Sequence, residues 1–300
     1  MPSWDLILKE IGTQPNPFDF TRRKYIKQLA EYTGRNVIVY YSGWLQKGNL
    51  AAHGIRFDLN DSDKMGFMTT VKGMDKTKGL DLILHTPGGE IGATESIVEY
   101  LRSLFGNDIR AIIPQISMSA GTMIACSCKE IIMGKHSNLG PIDPQIGGIP
   151  THGILEEFQQ AKSEIKGDPS TIPVWQVILS KYTPTLIGEC QKAISWSNTM
   201  VKEWLKTGMF IGDDEADTKA DLIITELGDH SLTLSHNRHI SRDNAKNKLN
   251  LNIICLEEDD RLQDLVLSAH HSCIITLTQT PAYKIIENQL DVGYIQNVGN

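Results

Sequence analysis

The sequence predicts an α/β layer fold with parallel strand pairing. Two observations carry this. Strand-like and helix-like segments alternate between about residues 79 and 133, and Arg261 to Thr276 holds strongly amphipathic helical spacing. A third bounds it: 300 residues, 40% of them hydrophobic, suffice to bury a full core.

The elements follow in order. Tyr25, Ile26, Leu29 and Tyr32 share one face of a helix within the first 35 residues. Asn36-Val37-Ile38-Val39-Tyr40-Tyr41 is a β-rich run, and Leu80 to His85 reads as a buried strand. Thr86-Pro87-Gly88-Gly89 is a turn. Ile91 to Leu104 is helical, with Ala93, Ile97, Leu101 and Leu104 on one stripe. Asp108 to Ile113 is the next strand, Ser119 to Ser127 a short helix of small residues, and Glu130 to Met133 a strand. Gly140 to Gly148 is a shaped loop rich in Gly and Pro. Ile154 to Ile165 and Leu186 to Leu205 are helices, and Asp213 to Leu227 holds a helix and a strand. Arg261 to Thr276 is an amphipathic helix entered through the acidic run Leu256 to Asp260.

Composition narrows the function. A net charge of −7 argues against a nucleic-acid partner. No run of about 18 apolar residues predicts a membrane span, and the first residues lack the pattern of a secretory signal. Five irregularly spaced cysteines imply no disulfide framework, so the cytoplasm is the expected compartment. Cys126 and Cys128 have no second pair and read as small buried residues. The sequence has no Gly-x-x-x-x-Gly-Lys-Ser/Thr motif, and no Gly-x-Gly-x-x-Gly opens a helix after a strand.

Two turns carry candidate chemistry. Adjacent glycines at 88 and 89 let the backbone approach a ligand closely. Ser119, in Met118-Ser119-Ala120-Gly121, opens a helix, where the dipole favours developing negative charge. Each turn alone has an ordinary reading, as a strand-to-helix connection or a helix cap. Together they lie 31 residues apart (119 − 88) at the ends of neighbouring strands. Parallel neighbours joined by a helix place such turns side by side. Amides of Gly88 or Gly89 and of Ala120 then suit an oxyanion hole.

Three stretches in order resemble one family: Leu82 through Gly89, Ile112 through Thr122, and Leu139-Gly140-Pro141-Ile142-Asp143-Pro144-Gln145. The chain resembles the serine dehydrogenase proteinase family, a branch of the Clp-type and signal-peptide-peptidase-type serine proteases, over roughly residues 15 to 290. The resemblance implies a ClpP/crotonase-like fold of stacked β-β-α units with helical N- and C-terminal additions. The expected division is a helical extension over 1–35, a protease domain over 36–255 and a C-terminal helical segment over 256–300. It also implies serine peptide hydrolysis with no metal or organic cofactor. Ser119 matches the nucleophile and Asp143 a supporting carboxylate. His236 leads as the base, with His239 second and Lys162 the choice if a Ser–Lys dyad applies. His230, His236 and His239 with Asp229 make a weaker metal-site alternative. A protein or peptide substrate and a homo-oligomer are expected, with any activator or ATPase a separate protein. A crotonase-type acyl-CoA enzyme and a degenerate peptide-binding or assembly module stay open.

Overall fold

A computed structural model describes residues 7, 10, 17–228 and 238–299. Its centre is a seven-stranded sheet in the order β10-β5-β3-β2-β1-β11-β12. Five strands run parallel: β1 (Asn36–Ser42), β2 (Leu80–His85), β3 (Ile109–Ile113), β5 (Glu130–Met133) and β10 (Ile253–Cys255). Two C-terminal strands, β11 (Ala282–Asn288) and β12 (Gly293–Asn297), extend it antiparallel beyond β1.

The central strands are buried on both faces, so they read as continuous apolar runs rather than alternating ones. Along β2, Leu80, Leu82 and Leu84 join the larger core, while Ile83 joins the smaller one on the opposite face. The smaller core lies under α1 (Pro17–Thr33) and α11 (Asp260–Gln279). The larger is covered by α3 (Asp61–Thr70), α4 (Ile91–Phe105), α5 (Ala120–Cys126), α8 (Leu186–Thr207) and α9 (Ala216–Gly228). Between them in sequence lie a one-turn α2 (Trp44–Lys47), α6 (Thr151–Gly167), α7 (Ile172–Leu179) and, after α9, α10 (Arg242–Asn247).

The α/β layering agrees with the sequence, and the differences have local causes. The strand expected within residues 213–227 is the buried face of α9: Ala220, Ile223, Ile224 and Leu227 keep helical spacing. Tyr32 does not share the buried stripe of α1; it is exposed and its hydroxyl donates to Asp259. Residues 256–299 supply α11 and then the two strands that widen the sheet. Lys284, Glu287 and Asn288 interrupt the apolar run of β11 and hide it. The shaped loop after residue 140 folds into a small hairpin of β7 (Gln145–Ile146) and β8 (Ile149–Pro150).

A second, three-stranded sheet orders the region around the turns. β4 (Ile116–Ser117) pairs with β6 (Asn138–Leu139), which pairs with β9 (Ile240–Ser241). Parallel pairing of β2 with β3 delivers the Thr86–Gly89 and Met118–Gly121 turns to the same end of the main sheet. A bridge between Thr86 and Ser117 ties them together.

Candidate active site

Ser119 sits at the N-terminal boundary of α5 with φ 48° and ψ −114°. A non-glycine residue there costs on the order of 1–3 kcal/mol and persists only when its surroundings fix it. The fixing bonds are specific. The Met118 amide donates to Thr86 O at 3.0 Å, and the Thr86 amide donates to Ile116 O at 3.3 Å. Met118 O accepts from the Gly121 amide at 2.8 Å, and Ser119 O from the Met123 amide at 3.0 Å. The Ser119 hydroxyl makes no cap bond to α5, so the ordinary cap reading fails. The side chain is half-buried, which leaves its oxygen reachable.

Gly88 has φ +101°, a value that favours glycine. A Cβ there would stand 2.6 Å from Ser119 Cβ and 2.9 Å from Met118 O. A Cβ on Gly89 would overlap the backbone of Leu59, its bridge partner. The two glycines thus let three backbone segments meet at van der Waals distance.

The amides of this turn divide by role. The Gly88 amide donates to Thr86 Oγ1 at 3.1 Å, and Gly88 O accepts from the Leu59 amide at 2.7 Å. Neither the Gly89 nor the Ala120 amide donates to a group among the described residues. Of the three expected donors, Gly89 and Ala120 therefore have hydrogen-bonding capacity to offer a ligand, and Gly88 shapes the turn.

A cleft of about 460 Å³ opens at the serine. Gly88, Gly89 and Ser119 line it, and Met123, Ile142, Pro144 and Trp196 give it apolar surface. Asp58 and Glu90 lie at its rim, bridged by the exposed Arg56. Trp196 and Asp58 carried no sequence signal, because they come from α8 and a loop far in sequence from the glycine and serine turns, whereas Glu90 directly follows Gly89.

Asp143 is fully buried in the loop after β6. Its neighbours Ile142 and Pro144 both reach the cleft. Three bonds hold that loop: the Gly140 amide donates to Thr122 Oγ1 at 3.0 Å, the Ile142 amide to Leu227 O at 2.9 Å, and the Thr151 amide to Pro144 O at 2.9 Å. The first joins it to α5 and hence to Ser119.

The candidate bases separate. Lys162 is exposed on α6 and does not line the cleft. His239 is exposed and lines a different surface pocket, with Glu226 and Lys248. His236 lies outside the described residues, as do Asp229 and His230 of the metal alternative. Among the described residues, no cluster of His, Cys, Asp or Glu suits a metal ion.

His85, at the end of β2, points to the α11 side of the sheet. Its ring stacks on Tyr41 at 5.3 Å and lies 4.5 Å from Trp44 and 5.5 Å from His270. Burial pushes its pKa down to about 3, so it stays neutral and structural. Cys126 and Cys128 are buried in the larger core, and desolvation pushes both thiols up to about 12. No helix among the described residues is long and apolar enough to cross a membrane.

Sheet, strained serine turn and paired glycines together define a ClpP-like α/β protein. The chain belongs to the family of ClpP-like SDH-type serine proteinases, whose sequence model matches residues 13–255. Two similar proteins come from Methanocaldococcus jannaschii, and both are named as uncharacterized. One is 31% identical over 160 residues, covering 53% of this chain and 54% of its own. The other is 36% identical over 158 residues, covering 52% and 48%. The chain therefore spans about half the length of these curated relatives. No solved structure matches.

Proposed function

We propose that the protein is a serine endopeptidase that cleaves peptide bonds through Ser119. One observation carries this reading: a serine held at positive φ at a helix start, its hydroxyl not spent on capping, lining an open cleft. Ser119 Oγ attacks the scissile carbonyl. The Gly89 and Ala120 amides receive the oxyanion, and the N-terminus of α5 favours the negative charge. Removing one such donor typically costs about 10²–10³-fold in rate.

A serine hydroxyl needs a base at neutral pH. We assign that role to His236, with Asp143 orienting the imidazole. Support comes from the described flanks of its segment. Leu227 O, at the end of α9, accepts from Ile142, beside Asp143. Ile240 pairs with Leu139, which pairs with Ser117, two residues before the nucleophile. Four chain links separate His236 from Ile240, a tether of at most about 14 Å. His239 shares these flanks, but it is exposed and lines a different pocket, and Lys162 is exposed on α6 and does not line the cleft. The apolar surface suits a peptide laid in extended form. Assembly into a homo-oligomer that shelters the cleft, and a separate ATPase or activator, belong to the same reading.

The test is labelling with a fluorophosphonate, alongside hydrolysis of a fluorescent casein. Both are expected in the parent and absent in Ser119→Ala of equal melting temperature. Labelling that persists in Ser119→Ala refutes the assignment. Acyl-CoA binding without labelling supports the crotonase-type alternative instead.

A further inference from the structure

A lysine lies inside the sheet. Lys284 of β11 is only 1% exposed. Its ammonium donates to both Asp63 carboxylate oxygens at 2.9 Å and to Asp58 O at 3.0 Å. Asp63 is fully buried as well, and accepts from the Tyr40 hydroxyl at 2.9 Å and the Asn60 amide at 3.1 Å. The Asn60 side chain donates to Asp58 O at 2.8 Å, and the Ser42 hydroxyl to Phe57 O at 2.7 Å. These bonds converge on the backbone of residues 57–60.

That backbone also meets the glycine turn. The Leu59 amide donates to Gly88 O at 2.7 Å, and Leu59 O accepts from the Glu90 amide at 2.8 Å. Along an extended segment, successive amides face opposite edges. Gly88 O and the Glu90 amide face Leu59, so the Gly89 amide between them faces away from it. A buried ion pair adds little net stability over apolar residues of the same volume. Helix capping by Asp63 accounts for the Asn60 bond alone. It leaves unexplained why Lys284 grips the Asp58 carbonyl.

We propose that Lys284 and Asp63 are positioning residues for the Ser119 site. They hold residues 57–60, and through Leu59 they fix where the Gly89 amide stands against the serine. The catalytic consequence rests on the endopeptidase reading; the mechanical one does not.

The test replaces the network with apolar residues in one protein: Tyr40→Phe, Asp63→Leu and Lys284→Met. Melting temperature, amide hydrogen exchange and fluorophosphonate labelling are measured. The expected result is a melting temperature within about 5 °C of the parent and unchanged exchange in β2 and β3. Exchange at the Leu59 and Glu90 amides is at least about tenfold faster, and labelling is about tenfold slower or worse, because small displacements of a donor are costly. Parental exchange at those two amides overturns the proposal. An unlabelled parent sinks the endopeptidase reading and leaves exchange to decide this one. If the triple variant does not fold, Lys284→Met alone, which removes the bond to Asp58 O, decides: several-fold faster exchange at both amides supports the clamp, and parental rates overturn it.

Discussion

Gly88→Ala perturbs the site through a single methyl group. At Gly88 the added carbon meets Ser119 Cβ at 2.6 Å, Met118 O at 2.9 Å and Ala120 N at 3.1 Å. Comfortable carbon contacts begin near 3.5 Å, so the serine turn must retreat by about 1 Å. None of the three atoms is the tip of a flexible side chain, so the backbone itself moves. A left-handed alanine costs on the order of 1–2 kcal/mol, and forced overpacking on the order of 1–3 kcal/mol. The expected stability loss is about 2–5 kcal/mol, measured by urea unfolding. A displacement of about 1 Å at a reacting group costs on the order of 10²-fold in rate. Fluorophosphonate labelling is therefore expected to slow about 100-fold in protein that near-UV circular dichroism shows to be folded. Labelling within about twofold of the parent would refute the packing argument, because the turn would then tolerate what its geometry forbids.

Three further predictions follow from the buried groups. His85 stays neutral in the folded chain down to about pH 3, whereas an unfolded histidine binds a proton near 6.5. The unfolded state thus holds more protons in that window, and stability is full above pH 6.5 and falls as pH drops. His85 alone removes about 2 kcal/mol at pH 5 relative to pH 8. His270, held below its ordinary value by burial and by His85, acts in the same direction. Equal urea midpoints at pH 8 and 5 would contradict this. Asp143→Asn is expected to lower casein hydrolysis by about 10⁴-fold if the carboxylate orients the base; a loss under tenfold would remove it from that role. Finally, Cys126, Cys128, Cys190 and Cys273 are buried and Cys255 is half-buried beside Lys246. A maleimide should modify one thiol in the native protein and five in urea, and more than one native adduct counts against this core.

How much was legible in the sequence depended on how local the signal was. The alternation from β2 to β5 survived because each segment carries its own period. The turns at Gly88 and Ser119 were readable because only certain residues fill them. β11 was missed because Lys284, Glu287 and Asn288 look like surface residues. Their partners, Asp63, Arg22 and Thr70, are more than 200 positions away. The α9 segment was misread at Ile223-Ile224 because two adjacent β-branched residues suit a strand as well as a buried helix face. In the site, the division of labour between Gly88 and Gly89 depends on Thr86 Oγ1 and Leu59, and spacing carries no trace of either. Trp196 reaches the cleft from a helix whose pattern reports only that one face is apolar.

The central claim is that Ser119 is the nucleophile. Its most direct measurement is tandem mass spectrometry of the peptide spanning residues 111–129 after treatment with a fluorophosphonate. A single stoichiometric adduct on Ser119, formed faster as pH rises through the histidine range, is the predicted result. An adduct on Ser117, or a folded and unmodified protein, would contradict the account.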